Sequence, residues 1–306
     1  MTELASAAVR VPCSTSNFGS GYDTVGLALD RYLEVTFEPD ASGALRVDRS
    51  GTLQRLGDGG PDLVGEAFTR RLRRSDVEPS GILRLSSNIP VGRGLGTSAA
   101  ARIAGLELAD AALGRERDEH GIFENACRWE GHADNVAPCL FGGLRAVAST
   151  PDGPVVMGLG LSADVGFAYA APAAGVSTDE AREILPKQVP HKVAAASLGR
   201  LIALTRGLAE GNPDLIRIGV KDELHLPYRL PLIPGVMAAI SAGIDAGAWA
   251  VTISGAGSGL IGLCPPEKAE VVAAAMHQVF DAGVGDPECV GFPLRPDFEG
   301  LRRLSV

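Results

Sequence analysis

Apolar and polar positions alternate with two different periods along the chain, and the switches between them outline the elements. Ala8 to Pro12 is a short apolar run, and residues 25–39 place Leu29, Tyr32, Leu33, Val35 and Phe37 at strand-like positions. Between them, CSTSNFGSGYDT (residues 13–24) is crowded with Ser, Asn, Gly and Asp and predicts a loop. A turn at DASG (residues 40–43) leads to a strand at ALRVDRS (44–50), then to a basic-faced amphipathic helix at LVGEAFTRRLRRS (63–75). GILRLSSNIP predicts a strand that stops at Pro90. Helices follow from Ser98 to Leu113, stopped by Gly114, and over EHGIFENACRWEG, closed by Gly131. HADNVAPCLFGGLRAVAS runs from a polar loop through a Gly-Gly turn into a strand.

STPDGP (149–154) is the strongest turn cluster of the middle chain, so the expected division lies there, into domains 1–153 and 154–306. Beyond it, VGFAYAAP reads as a strand, and STDEAREIL starts a helix with acidic residues in its first turn. Further helices are predicted over 192–211, 213–224 and 231–247 and, after the strands AWAVTIS and GLIGLC, over 267–283. Strands and helices mix without strict alternation, which predicts α+β layers and not a doubly wound parallel sheet.

Composition narrows the class. At 306 residues, with 45% hydrophobic and 21% charged positions, the chain has the balance of a soluble globular protein with enough length for two domains. A net charge of −9 argues against nucleic acid as partner, because phosphate binding needs clustered Lys and Arg. Cys13, Cys127, Cys139, Cys264 and Cys289 are scattered and odd in number, which points to a reducing cytoplasm and to neither a disulfide framework nor a zinc site. Glu3 stands where a signal peptide would carry basic residues. Ala246 to Cys264 carries no charge, but Gly247, Gly255, Gly257, Gly259 and Gly262 break it, so strand–loop–strand is expected there and no membrane span.

The most informative stretch is SSNIPVGRGLGTSAA. A helix N-terminus leaves four N–H groups unpaired and carries partial positive charge, and glycines ahead of it let a phosphate approach closely. VGRGLGTS supplies that arrangement, with Thr97 and Ser98 at the helix start. No Lys follows the last glycine, so it is not a Walker A loop, and Gly92, Gly94 and Gly96 do not have dinucleotide spacing. The plainer reading is a glycine turn with a Thr or Ser N-cap. Two more glycine-rich loops tip the balance toward a ligand site: TSNFGSGYDT, holding Asn17 and Asp23, and ISGAGSG, each leaving a strand.

These three segments resemble the three motifs of the GHMP kinases, the family that includes galactokinase, homoserine kinase and mevalonate kinase. Pro90, Gly94, Leu95, Gly96, Thr97, Ser98, Ala99 and Ala100 reproduce the central pattern. Among its branches the homoserine kinases are nearest, through VRVPCSTSNFGSGYDTVGLAL, EGHADNVAPCLFGG and VKDELHLPYRLPLIPG. The resemblance runs from Val9 to the ISGAGSG loop; Ser20, Thr97 and Ser258 depart from residues common in the family.

The resemblance implies a two-domain fold, ribosomal-protein-S5-domain-2-like then ferredoxin-like. It also implies ATP-dependent phosphorylation of the side-chain hydroxyl of L-homoserine, a step toward threonine, with ATP and Mg2+. Pro90, Gly92, Arg93, Gly94, Leu95, Gly96, Thr97 and Ser98 would then hold the ATP phosphates. Ser98 and Glu130 would hold magnesium, with Glu124 as the other carboxylate in reach, and Ser98, Glu130 and Asn135 would form the catalytic set. Asn17, Asp23, His132 and Arg229 would hold the substrate, Arg229 clamping its carboxylate. His120, His191, His225 and His277 are expected as ordinary surface residues. No residue is assigned as general base. The competing readings are a sibling kinase for mevalonate or another isoprenoid precursor, and a non-catalytic ligand sensor; a homodimer stays open.

Overall fold

The computed structural model of the chain describes residues 4–41, 43–57, 62–284 and 288–306. Glu3, and Ser42 within the expected DASG turn, lie outside these residues. The first half runs β1 (Ala7–Asn17), β2 (Gly21–Pro39), β3 (Leu45–Gly51), α1 (Leu63–Arg73), β4 (Gly81–Ser87) and α2 (Thr97–Ala112). It continues with α3 (Glu119–Glu130), α4 (Val136–Phe141), β5 (Leu144–Thr150) and β6 (Gly153–Gly158). The second half holds β7 (Gly166–Ala171), α5 (Thr178–Glu183), α6 (His191–Glu210), α7 (Pro213–Gly219), α8 (Leu226–Arg229) and α9 (Val236–Asp245). It closes with β8 (Ala250–Ile253), β9 (Leu260–Cys264), α10 (Ala269–Val284), β10 (Val290–Leu294) and β11 (Arg302–Leu304).

The strands form two sheets, as α+β layering predicts. The first has the order β11-β1-β2-β4-β3, with β5 also on β2 and β6 on β5. Among the described residues only β3 and β4 pair in parallel, and α1 makes the crossover that such a pair needs. The second sheet is antiparallel, in the order β10-β7-β9-β8, with α9 and α10 packed on it, which is the ferredoxin-like arrangement. Helix α2 is buried almost all round because it is built of small residues. At Gly105 a Cβ would stand 2.4 Å from the Val64 carbonyl oxygen, so the backbone of α1 touches α2.

Three expectations need correction. Cys13–Asn17 is not loop but the end of β1, paired with β2 across irregularities at Pro12/Cys13 and Ser16/Asn17. Its hydroxyls are fully buried and satisfied by segments far along the chain, a compensation that polarity alone does not signal. The polar loop after His132 gives way to α4, whose Val136, Ala137, Cys139 and Leu140 are buried. The helix expected to Leu224 ends at Gly219, because Asp222 accepts from the backbone N–H groups of Leu224, His225 and Leu226 and starts α8 afresh.

The division expected between residues 153 and 154 falls inside β6, just past the turn of the β5–β6 hairpin. By sheet membership we propose placing it between Gly158 and Gly166, with β11 returning to the first sheet beside β1. The uncharged segment 246–264 is strand–loop–strand, and among the described residues no helix is long and apolar enough to cross a membrane. All five cysteines are free thiols.

Candidate active site

Three loops converge where the two sheets meet. The Ser14 amide donates to the Leu95 carbonyl (3.2 Å), and the Gly255 amide donates to the Ser16 carbonyl (3.1 Å). Ser254 Oγ donates to the Gly94 carbonyl (2.6 Å) and lies 2.8 Å from Thr15 Oγ1. Asn17, at φ 77°, donates from Nδ2 to the Gly255 carbonyl (2.7 Å) and accepts the Asp23 amide on Oδ1 (2.9 Å). One end of this amide ties the first loop to the third, and the other braces the first loop internally.

That packing leaves no room for a side chain at two of the central loop's glycines. A Cβ at Gly94 would lie 1.9 Å from the Ser254 carbonyl oxygen, and one at Gly96 would lie 2.3 Å from Ser14 Oγ. At Gly92 a Cβ would meet nothing within 4 Å. Gly96, left-handed at φ 61°, is the N-cap of α2, and no side chain caps the helix. The Thr or Ser cap of the plainer reading is thus absent, and the N–H groups of the first turn are left for a ligand.

These loops wall a cavity of about 310 Å³. Of the expected site residues, all but Pro90 line it; the Pro90 carbonyl accepts from Thr97 Oγ1 at 3.4 Å. Arg93 is buried, and its guanidinium donates to the Glu288 carbonyl (2.9 Å) while its own carbonyl accepts from Tyr169 (2.6 Å). One arm of the cavity is apolar, formed by Leu53 and Leu56 with Leu63, Val64 and Val91.

On the other side of the α2 N-terminus, Ser98 Oγ donates to Glu130 Oε2 (2.6 Å), and Arg102 Nε donates to Glu130 Oε1 (2.5 Å). Glu130 stands at the end of α3, and Glu124 pairs instead with His120 on an exposed face, 3.4 Å away. His132 Nδ1 lies 2.7 Å from Asp134 Oδ1, and His132 Nε2 lies 3.9 Å from Glu130 Oε2. Burial pushes the Asp134 pKa up, but hydrogen bonds from His132 and Ser16, with the nearby charges of His132 and Arg182, outweigh it and hold the carboxyl below its ordinary value. Burial pushes His132 down, while Asp134 and Glu130 together carry it above its ordinary value. Asn135 is spent on structure: Nδ2 donates to Ser16 Oγ and Oδ1 accepts from Ser14 Oγ, both at 2.9 Å.

Arg229 is buried, and its Nε donates to the Ala181 carbonyl (2.9 Å). Its guanidinium carbon stands 5.1 Å from the Tyr22 ring centre, and its buried NH1 has no hydrogen-bond partner. Burial lowers its pKa, but a guanidinium stays charged. Arg182 of α5 grips Asp23 with both terminal nitrogens, at 2.7 and 3.0 Å.

Several contacts around the expected site residues escaped the sequence. Arg182 and Asp23 are remote in sequence and share no local pattern, whereas Arg102, one helical turn beyond Ser98, was open to an i,i+4 reading. His225 is not a surface residue: it is wholly buried, stacks on Tyr22 with centroids 5.0 Å apart, and has Nε2 3.0 Å from the Gly19 carbonyl.

An uncapped helix start, a hydroxyl–carboxylate pair, apolar side chains and a buried arginine with an unpartnered NH1 line one cavity, a set that suits phosphoryl transfer to a small molecule. Comparison with known proteins agrees. The model of the GHMP kinases N-terminal domain matches residues 62–143, and that of the GHMP kinases C-terminal domain matches residues 204–282. A homoserine kinase of Synechococcus sp. (strain RCC307) is 40% identical over 281 residues, covering 89% of this chain and 88% of that one. One from Thermus thermophilus is 38% identical over 266 residues, covering 86% and 89%.

Among solved structures, a homoserine kinase from Cytophaga hutchinsonii superposes with a TM-score of 0.84 at 30% identity, covering 98% of this chain and 97% of that one. A mevalonate kinase from Methanococcus jannaschii, 12% identical, has a TM-score of 0.67 over 94% and 98% and shares the fold. The chain belongs to the GHMP kinase family.

Proposed function

We propose that this protein transfers the γ-phosphoryl group of ATP to the side-chain hydroxyl of L-homoserine, a step toward threonine. The observation that carries this reading is the shared cavity: a buried arginine with an unpartnered N–H faces the same space as the uncapped start of α2 and the Ser98–Glu130 pair. The curated relatives named homoserine kinase, alike over nearly nine-tenths of the chain, support it.

In this reading the phosphates rest on the N–H groups of the α2 first turn, and the apolar arm at Leu53, Leu56 and Val64 takes the base. Ser98 and Glu130 offer a hydroxyl and a carboxylate, the oxygen donors that magnesium takes one or two at a time. Bound there, the ion would neutralise charge on the phosphates. Arg229 would hold the substrate carboxylate through NH1, and Asp23 the ammonium group. With its two carboxamide ends occupied, Asn135 fixes α4 against β1, and Asn17 fixes the loop that carries Asp23. Positioning and electrostatics then supply the catalysis, as phosphoryl transfer permits. Free thiols throughout support a reducing, cytoplasmic setting.

An assay of ADP release with L-homoserine, mevalonate and L-threonine as separate acceptors tests the reading. Turnover with homoserine alone is expected. Turnover with mevalonate and none with homoserine would replace the substrate, and no turnover with any acceptor would favour a ligand sensor.

A further inference from the structure

Glu130 is almost fully buried, its side chain 5% exposed, and both carboxylate oxygens are already engaged. Oε2 accepts from Ser98, and Oε1 accepts from Arg102. Ser98 and Arg102 lie one turn apart on α2, so the two donors reach the carboxylate from the same helix face. Arg102 is itself held: its guanidinium carbon lies 5.9 Å from the ring centre of Trp129, which Arg70 flanks at 5.4 Å. The side chain is only 18% exposed, with little freedom to swing away.

Resting on the kinase reading above, we propose that Arg102 is a positioning residue that sets which divalent cation the site accepts. The charge-assisted bond to Oε1 draws on that oxygen and fills space beside it, so Arg102 disfavours two-oxygen coordination and leaves Oε2, shared with the Ser98 hydroxyl, as the oxygen presented to a metal. One-oxygen coordination suits magnesium, which demands near-ideal octahedral geometry and keeps several waters. Calcium takes six to eight ligands and is served well by a carboxylate that gives both oxygens, which Arg102 disfavours. Nothing in the glycine loop supplies this selection, since its backbone N–H groups contact phosphate and not metal.

The test measures binding, not turnover. Calorimetry with a non-hydrolysable β,γ-methylene analogue of ATP, in saturating Mg2+ or saturating Ca2+, gives the ratio of the two dissociation constants. The parent should favour the magnesium form. Arg102→Gln, which frees Oε1, should shift the ratio toward calcium at least about fivefold. Arg102→Lys, which can still cover Oε1, should keep the parent ratio, and Trp129→Phe should shift it by less than Arg102→Gln. Circular dichroism confirms folding of each variant; should Arg102→Gln not fold, Trp129→Phe decides. An unchanged ratio in the folded variants overturns the proposal and leaves Arg102 a structural residue. A parent that binds the analogue with neither metal overturns the kinase reading itself, and this proposal with it.

Discussion

Asp23 and Arg182, 159 positions apart, meet in a two-pronged ion pair with contacts of 2.7 and 3.0 Å at the rim of the cavity. Asp23 is held at φ 51° by its amide hydrogen bond to Asn17, so the carboxylate is presented from a fixed backbone. Each partner neutralises the other while the cavity is empty. In the proposed reading a zwitterionic amino acid, which carries both signs, exchanges with them, its ammonium group going to Asp23 and its carboxylate to the arginine side.

Asp23→Asn removes one half of that exchange. The ammonium group loses a charge-assisted hydrogen bond worth roughly 1.5–3 kcal/mol, about one to two powers of ten in affinity. The Michaelis constant for homoserine should rise at least about tenfold, with ATP affinity changed less than about twofold. Steady-state kinetics with each substrate varied in turn measures both. A rise confined to ATP would place Asp23 at the nucleotide.

Gly94 and Gly92 share a positive φ, 78° and 71°, but not a neighbourhood. Gly94→Ala drives a methyl group into the Ser254 carbonyl, 1.9 Å away, on top of about 1–2 kcal/mol of left-handed strain. Gly92→Ala meets open space and incurs the backbone strain alone. Chemical denaturation should find Gly94→Ala at least about 2 kcal/mol less stable than Gly92→Ala. Substitution at Gly96 is no clean probe of phosphate binding, because Ser14 Oγ stands 2.3 Å from the new Cβ and the fold itself is disturbed.

His132 and His225 should give stability opposite slopes with pH. Asp134 and Glu130 outweigh burial and hold His132 above 6.5, so its pairing stabilises the fold below pH 6.5 and is lost as pH rises through the folded value. Burial, which outweighs the pull of Asp222, pushes His225 down to about 4. The unfolded chain therefore takes up that proton first, and stability falls as pH drops from 6.5 toward 4. Relative to the parent, His132→Gln should lose more stability at pH 5 than at pH 9, and His225→Asn should lose less at pH 5 than at pH 8. The second difference should be roughly 1 kcal/mol or more. Denaturant titrations at each pH measure both, and a flat difference for either variant refutes that assignment.

How much of this was legible in the chain depends on how far apart its partners lie. Helix α2 and the glycine loop were read within one residue, because Gly96, Thr97 and Gly114 punctuate a local pattern. The end of β1 was not, because Ser14, Thr15 and Ser16 look like loop until Asn135 and Ser254 arrive from 121 and 239 positions away to satisfy them. The Ser98–Glu130 pair was reached through the family pattern, and no periodicity predicts it. Arg182 has a local role only as a basic residue near a helix end, and its pairing with Asp23 exists only once the two halves fold together.

In the proposed reading Arg229 sets what the cavity recognises. Its guanidinium is split between two tasks: Nε is committed to the Ala181 carbonyl at 2.9 Å, and buried NH1 has no hydrogen-bond partner. The Tyr22 ring, itself stacked on buried His225, lies 5.1 Å from the guanidinium carbon and, with the Ala181 carbonyl, restrains the side chain. An ammonium group has three donors but all on one nitrogen, with no planar fork to point two of them along the fixed directions that Nε and NH1 now take. In Arg229→Lys the geometry toward Ala181 and toward the substrate carboxylate cannot both be kept, and the contact to the carboxylate weakens. Losing a charge-assisted hydrogen bond costs roughly 1.5–3 kcal/mol, so the Michaelis constant for homoserine should rise at least about tenfold. ATP affinity should barely move, because in this reading the phosphates rest on the α2 N-terminus and not on Arg229. Loss of ATP binding with homoserine unaffected would move Arg229 to the nucleotide side and reopen the choice of acceptor.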